Sequence, residues 1–115
     1  MAALEIVEQH HDAVVAGFLH GKLDAESVPV FDQWLNAHLD AGVQRVVLDL
    51  SGLSYISSAG LRSIISASRA YSKQSGLALC GLFGMVGQVF QVSGFTEILE
   101  LYPTMDAALQ AGGRS

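Results

Sequence analysis

The chain has 115 residues, of which half are hydrophobic and 15% are charged, so it can bury one core and lacks the composition of a disordered chain. Its formal net charge is −5, from eleven acidic and six basic residues, which disfavours binding to nucleic acids. The first nine residues lack the basic start of a signal peptide, and no apolar run approaches the ~20 residues that cross a bilayer. We therefore expect one cytoplasmic domain over residues 1–115 without membrane insertion, ending in a disordered tail at residues 113–115.

The first half of the chain predicts a hairpin, a helix and a buried strand. Two strand-like segments flank a polar His-His-Asp turn at residues 10–12, and residues 21–29 form a second turn. Gly42 supplies a stop signal for the helix, and the β-branched strand beyond it is bounded by turn residues. The predicted elements are strands at residues 3–9 and 13–19, a helix from Pro29 to about Ala41, and a strand at residues 44–50.

The second half of the chain alternates helices and strands. Leu61, Ile64 and Ile65 recur at helical spacing and predict a helix that begins at Ala59 and is closed by Gly76. The remaining predicted elements are a strand at residues 77–83, a short helix at residues 85–94, a strand at residues 97–102, and a terminal helix capped by Thr104, with Gly112 beyond its end.

The resulting order is β-β-α-β-α-β-α-β-α, which is typical of an α/β domain. Alternating strands and helices with short connections need parallel neighbouring strands, with helices covering the sheet. Loops that leave the carboxyl ends of such strands meet at one edge, where open α/β sheets place their sites. We expect the segments GKLD (21–24) and YISSAGL (55–61) together at this edge.

Catalytic and nucleotide-binding motifs are missing from the sequence. A nucleophile elbow needs G-x-S-x-G and a nearby base, whereas ISSAG lacks the first glycine and nothing places a histidine beside Ser58. The two glycine-rich motifs that bind nucleotide phosphates, G-x-x-x-x-G-K-[ST] and G-x-G-x-x-G, do not occur in the chain. We predict a protein that is not an enzyme, without catalytic residues or cofactors.

Metal binding and thiol chemistry have weak support. His10, His11 and His20 could meet in a hairpin, but adjacent histidines on a strand point to opposite faces, so solvated turn histidines are the favoured interpretation. Cys80 has no partner for a disulfide or a metal site, and a small core residue is favoured over a reactive thiol. We therefore predict no metal site.

Two serines lie where the buried strand gives way to the second helix. Ser57 or Ser58 can cap this helix by accepting a bond from a backbone N–H, which is worth about 1 kcal/mol. A cap does not explain Ala59 and Gly60, whose small size leaves the hydroxyl unshielded and lets a second chain approach the backbone. Phosphorylation would add a charge of about −1.5 to −2 that a helix N-terminus favours, so the fold would survive while partner binding changes.

A row of side chains continues from this serine along the second predicted helix. Its members are spaced by three or four residues, so they share one helix face, and they include three of the six cations. The row is either a docking strip for an acidic partner or a simple solvated face. Its members are Ser58, Arg62, Ser66, Arg69 and Lys73.

With these segments in view, the chain resembles the anti-sigma factor antagonists of the STAS domain family, named for sulphate transporters and anti-sigma factor antagonists. The similarity is carried by GKLD (21–24) and VVLDLSGLSYISSAGLR (46–62), with support from LALCGL (77–82) and VFQVSGF (89–95). It implies a small mixed β-sheet covered by about four α-helices.

The resemblance also implies partner switching. In that family an unphosphorylated antagonist binds an anti-sigma factor, often a serine kinase, and frees the sigma factor; the kinase then phosphorylates the antagonist with ATP, and a serine phosphatase reverses this. By motif match the phosphorylated residue is Ser58, and the partner-facing loop contains Asp24. The implied partner-binding residues, joined with the helix row, are Asp24, Ser57, Ser58, Ala59, Gly60, Arg62, Ser66 and Arg69.

The chain departs from many relatives at two positions beside Ser58. Ser57 stands in place of a common aspartate, and Ala59 in place of a serine or threonine, which makes Ser57 the second candidate for phosphorylation. Other relatives with a similar SAGL stretch are subunits of lipid-transport complexes at the inner membrane and need no phosphate cycle. An adaptor docked to a transport ATPase or permease is therefore the alternative function.

Overall fold

The computed structural model describes residues 4–72 and 76–112, which contain five strands and four α-helices. The predicted tail at residues 113–115 lies outside the described residues. The strands are β1 (Leu4–His11), β2 (Val14–Leu23), β3 (Arg45–Ile56), β4 (Gly76–Cys80) and β5 (Glu100–Tyr102). The helices are α1 (Val28–Asp40), α2 (Ser58–Ala70), α3 (Gly84–Ser93) and α4 (Met105–Gly112). The predicted order of elements is confirmed, with one added 3-10 helix at Phe95–Glu97 before β5.

The five strands form one mixed sheet in the order β1-β2-β3-β4-β5. The hairpin of β1 and β2 is antiparallel, and each later strand pairs in parallel with its predecessor. The carboxyl ends of β2 and β3 lie side by side, because Leu23 pairs with Ile56. The predicted α/β architecture, with its mixed sheet and four helices, is confirmed.

The main core lies between the sheet and the helices α1, α2 and α3. Phe31 of α1, Ile64 of α2 and Phe90 of α3 are fully buried there. Burying a side chain of this size stabilises the fold by roughly 1.5–3 kcal/mol, so each helix is held by its own apolar anchor. No helix in the described part of the chain is long and apolar enough to cross a bilayer.

A smaller core joins α4 to the sheet. Val47, Ala78, Cys80 and Ala108 are buried there. Burial raises the pKa of the Cys80 thiol to about 12, and the nearby carboxylate of Asp49 acts in the same direction. The thiol is therefore protonated at neutral pH, as suits the predicted small core residue.

The hairpin turn lies later in the chain than predicted. β1 continues through His11, so the loop is only Asp12 and Ala13, and the φ angle of Asp12 is 58°. Two-residue hairpin loops require such left-handed backbone, which aspartate tolerates better than most residues. His10 and His11 are consequently paired strand residues, which corrects the predicted turn.

Strand β2 also runs further than predicted, to Leu23 instead of residue 19. Its pairing with β3 continues across two register shifts, so the predicted turn begins only at Asp24. In the same way β3 reaches Ile56 instead of residue 50. Strand pairing therefore overrides the turn-forming glycines of both segments.

The later element boundaries are also corrected. Helix α2 begins at Ser58 and ends at Ala70, earlier than predicted, and Gly76 opens β4 with a φ angle of 94°. Strand β4 ends at Cys80, before Gly81, and the predicted strand at residues 97–102 is shortened by the 3-10 helix. Gly81 and the 3-10 helix thus shorten the two strands that the apolar residues alone suggested.

Candidate functional site

The two segments predicted to meet at the sheet edge are in direct contact. The backbone N–H of Ser57, where the chain leaves β3, donates to the carbonyl oxygen of Leu23 at 3.0 Å. Leu23 ends β2, and Asp24 begins the loop beyond it. The start of α2 and the Asp24 loop are therefore fixed next to each other.

The two adjacent serines have different roles. Ser57 is the N-cap of α2: its hydroxyl oxygen accepts from the backbone N–H of Gly60 at 3.2 Å, and its carbonyl from that of Leu61 at 2.9 Å. Ser58 is the first helical residue and is exposed. Within residues 4–72 and 76–112 its hydroxyl makes no hydrogen bond. The structure thus assigns the cap to Ser57 and leaves Ser58 accessible to another molecule.

Gly60 is required for a close approach within the chain, and its predicted contact with a partner remains a prediction. The residue is buried, and a Cβ atom there would lie 2.5 Å from the carbonyl oxygen of Leu23 and 2.9 Å from its Cγ. Such distances are below normal contact, so only glycine lets α2 approach β2 this closely. The close approach is within the chain, and it places Ser58 at the sheet edge.

Asp24 orders the loop that faces the serines. Its Oδ1 accepts from the backbone N–H groups of Glu26 and Ser27, both at 3.1 Å, and the buried Ser27 hydroxyl donates to the carbonyl of Lys22 at 2.8 Å. Asp24 is therefore a turn-forming residue, and its predicted contact with a partner remains a prediction. An open depression is lined by Asp24, Ala25, Glu26, Tyr55, Ser57, Ser58 and Ala59.

The predicted row on α2 is exposed as far as the structure describes it. Arg62, Ser66 and Arg69 are all exposed along the helix from Ser58, whereas Lys73 lies outside the described residues. Arg62 and Ser66 also line a groove between α1 and α2. Inside that groove the Ser63 hydroxyl donates to the carboxylate of Asp32, so the two helices are linked beside the row.

A second depression beside Ser58 was not predicted from the sequence. Helix α3 buries Val86 and Phe90 on the core side. Its other apolar residues recur at helical spacing on a different face, where Val89 packs only partly against the core and Met85 and Val92 are exposed. This second apolar periodicity is the feature of the sequence from which the depression could have been predicted. The depression is lined by Ser58, Leu61, Met85, Gln88, Val89, Val92 and Ser93.

The histidines named as metal candidates are not brought together. His11 lies within 3.4 Å of Gln9, and the ring of His20 packs beside Gly52. His10 is instead bonded to Glu8, at 2.5 Å. Across the described ranges, no group of three His, Cys, Asp or Glu side chains is arranged to hold a metal ion.

Glu8 is the centre of what we call the histidine cluster, formed by Glu8, His10, Trp34 and His38. Its carboxylate accepts from His10, and from the Nε1 of Trp34 and the Nε2 of His38 at 2.9 Å each. The hydrogen bond from His10, followed by the one from His38, lowers the pKa of Glu8 to about 2. The cluster ties β1 to α1 through groups that bind one another.

Comparison with known proteins identifies the class to which this fold and edge site belong. The STAS domain profile matches residues 5–108. A protein of Bordetella bronchiseptica named as an anti-sigma factor antagonist, BtrV, is 37% identical over 101 residues, which cover 87% of each chain. The chain belongs to the STAS domain family.

Solved structures show the same fold. The crystal structure of an anti-sigma factor antagonist from Mycobacterium paratuberculosis has a TM-score of 0.86 at 24% identity, covering 94% of this chain and 92% of that one. The Bacillus cell fate determinant SpoIIAA in its phosphorylated form has a TM-score of 0.70 at 21% identity, covering 95% and 98%.

Proposed function

We propose that this STAS protein is an anti-sigma factor antagonist, a non-enzymatic cytoplasmic regulator that switches partners through Ser58. With Ser58 unmodified, it binds an anti-sigma factor of the serine-kinase type, which then frees its sigma factor. Phosphorylation of Ser58 ends this complex, and a serine phosphatase restores it. The name of BtrV, the similar protein of Bordetella bronchiseptica, supports the antagonist function.

The exposed hydroxyl of Ser58 carries this proposal. A kinase has to reach the acceptor oxygen, and Ser58 is exposed, with a hydroxyl that makes no hydrogen bond to the described part of the chain. Ser57, the second candidate, uses its hydroxyl oxygen as the cap of α2, so phosphorylating it would replace that contact. Ser58 is therefore the better acceptor. The phosphorylated form of SpoIIAA gives a precedent for such a modification in a protein of this fold.

The chemistry of the switch follows from phosphoryl transfer. The Ser58 oxygen would attack the γ-phosphorus of ATP held by the kinase, ADP would leave, and the serine proton would pass to a base of the kinase. Hydrolysis by the phosphatase would return serine and inorganic phosphate. The new group carries about −1.5 to −2 charges. It would stand in a depression that already holds Asp24 and Glu26, so the surface becomes strongly anionic and excludes the partner that fits the neutral form.

The acceptor is tested by mass spectrometry after incubation with the cognate anti-sigma factor kinase and ATP. We expect one phosphoryl group on the wild type and on Ser57→Ala, and none on Ser58→Ala. Full labelling of Ser58→Ala would reject the assignment.

The switch is tested by titration calorimetry with the same anti-sigma factor. Phosphorylation of the wild type should lower its affinity for the anti-sigma factor, and Ser58→Asp should lower it by a smaller factor. Ser58→Ala should retain the affinity of the unphosphorylated wild type. Equal affinities of phosphorylated and unphosphorylated protein would contradict exclusion by charge.

The alternative of a lipid-transport adaptor predicts a different outcome. Such a subunit would co-purify stably with a transport ATPase and would carry no phosphate in cells. Phosphoprotein analysis of native cells, combined with a pull-down, separates the two functions. Isolation of the unphosphorylated protein with an ATPase would favour the adaptor.

A further inference from the structure

The outer surface of α3 exposes more apolar area than the fold requires. Met85 is 67% exposed and Val92 is 88% exposed, and they flank the half-buried Val89 on one side of the helix. We call Met85, Val89 and Val92 the α3 apolar face. The helix is already anchored by Val86 and Phe90. Val89 packs partly against the main core, whereas Met85 and Val92 are left exposed. Contiguous exposed apolar surface of this kind marks an interaction site.

Exposed apolar side chains concentrate in this part of the chain. Seven large hydrophobic residues are exposed among those the structure describes, and four of them fall within residues 83–98. The other two members of this group are Phe83 and Ile98, on either side of α3. Residues 81–96 also contain no charged side chain, although the whole chain carries a net charge of −5. The surface is thus apolar and uncharged on an acidic protein.

The α3 apolar face is continuous with Ser58. Ser58 and all three residues of the face line the same depression. A stable protein interface covers about 800 Å² on each partner, or some 20–30 residues. A protein centred on the Ser58 hydroxyl therefore has to cover the neighbouring α3 apolar face as well. This contiguity identifies the occupant as the protein that contacts Ser58.

The charge pattern disfavours a lipid surface as the occupant. Helices that bind membranes combine an apolar face with lysines or arginines that attract anionic lipids. Helix α3 has no cation, and the chain as a whole is acidic. A protein surface that offers apolar side chains beside its serine-binding site matches these properties better.

We infer that the anti-sigma factor which contacts Ser58 also binds the α3 apolar face, and that this face supplies affinity which does not depend on phosphorylation. The inference rests on the proposed function and adds to it that affinity and switching depend on different residues. Contacts with α3 would hold the partner, while the state of Ser58 would decide whether the complex forms. Apolar contacts cannot sense the charge of Ser58, so affinity and switching become separable by mutation.

The experiment uses titration calorimetry of the full chain with a purified serine-kinase anti-sigma factor. The test variant is the double substitution Met85→Gln and Val92→Gln. Both side chains are largely exposed, so the fold should be unaffected. The control is Val7→Gln, which removes a 43% exposed valine from edge strand β1. Circular dichroism and urea denaturation check that all variants are folded.

We expect the double variant to bind at least about tenfold more weakly, because two amide side chains would forfeit the apolar burial that the partner provides at Met85 and Val92. The control should bind like the wild type. The ratio of affinities between unphosphorylated and Ser58-phosphorylated protein should stay the same in the double variant. Wild-type affinity of the double variant would overturn the inference and leave the proposed function intact. Failure of the wild type to bind any such anti-sigma factor would overturn both.

Two other occupants are separate outcomes of the test. In a co-sedimentation assay, the wild-type protein should not pellet with vesicles of phosphatidylglycerol and phosphatidylethanolamine. Sedimentation that the double variant loses would assign the face to a membrane and overturn the inference. Light scattering should give the same mass for both proteins. A wild-type dimer that the double variant converts to a monomer would assign the face to a second copy and likewise overturn it.

Discussion

Two polar regions of the molecule differ in how their side chains find partners. In the histidine cluster, the carboxylate of Glu8 binds His10, Trp34 and His38. At the start of α2, the Ser58 hydroxyl binds nothing within the described residues. Polar groups that bind each other serve the fold, whereas an exposed group without a partner can be recognised by another molecule. The sequence offered His10 as a metal candidate and Ser58 as a site for a partner, and the contacts distinguish the two residues.

The same contrast holds between two adjacent residues. Ser57 is committed to the cap of α2 and to the end of β2, while Ser58 points to no group of the described chain. Ser57 and Gly60 together fix the position of the helix start. Ser58 is thus a free hydroxyl on a rigid support, which favours recognition because little order has to be gained on binding.

The largest expected effect comes from removing that support. Gly60→Ala should lower the free energy of unfolding by about 1–3 kcal/mol, because the new methyl group would lie 2.5 Å from the Leu23 carbonyl oxygen and force α2 away from β2. Urea denaturation measures the difference. The matched control is Gly87→Ala in α3, whose Cβ would come no closer than 3.4 Å to Leu82. It should stabilise the protein by up to about 1 kcal/mol, as alanine does in a helix.

The stabilities of Gly60→Ala and Gly87→Ala together test whether Gly60 is needed for the close contact of α2 with β2. If Gly60→Ala were as stable as the wild type, α2 would not be pressed against β2. The glycine would then be free to contact a partner, as the sequence had suggested.

Replacing each serine in turn tests the contrast directly. Ser57→Ala should lower the free energy of unfolding by about 1 kcal/mol, because the N–H of Gly60 loses its acceptor. Ser58→Ala should stay within about 0.5 kcal/mol of the wild type, since it removes no internal contact. Thermal and urea denaturation measure both. A larger loss for Ser58→Ala would show that its hydroxyl serves the fold.

The histidine cluster should make the stability of the protein depend on pH. Its hydrogen bonds lower the pKa of Glu8 from 4.5 to about 2, so the stability that Glu8 contributes is present above pH 4.5 and is lost as the pH falls towards 2. Glu8→Gln should therefore be less stable than the wild type at pH 6, and the two should converge in acid. The side chain is 35% exposed, so screening by solvent keeps the difference below about 1 kcal/mol.

Denaturation curves between pH 7 and 3 measure this convergence. Glu5→Gln, which alters an exposed glutamate on the same strand, is the control and should show no comparable dependence on pH. A constant difference between Glu8→Gln and the wild type across this range would contradict the assigned pKa.

Much of the fold could be predicted from the sequence because the hydrophobic periodicity of each segment is local. The order of elements and the meeting of GKLD (21–24) with YISSAGL (55–61) depend only on strands that alternate with helices. Strand ends could not be predicted, because the pairing of β2 with β3 continues through residues that favour turns. Local preference was overridden there by a neighbouring strand.

The candidate site around Ser58, like the fold, could be predicted from the sequence only in part. A serine at the start of a helix follows from the sequence, but which of Ser57 and Ser58 forms the cap depends on backbone geometry. The role of Gly60 depends on the distance to β2, and the histidine cluster on the contact between β1 and α1. The α3 apolar face needed the knowledge of which face of α3 is buried. Each of these features is a tertiary contact that one segment alone does not encode.

The smallest expected effect concerns the phosphorylated protein. A phosphate on Ser58 lies at the N-terminus of α2 and one helical turn from Arg62, both of which favour negative charge. Asp24 and Glu26 in the adjoining depression oppose it. Phosphorylation should therefore change the free energy of unfolding by less than about 1 kcal/mol, in the stabilising direction. Arg62→Gln should remove about 0.2–0.5 kcal/mol of this gain, and Arg69→Gln, further along the helix, should not. If phosphorylation instead destabilised the protein by several kcal/mol, partner release would follow from loss of structure, and the comparison of a rigid support with a free hydroxyl would fail.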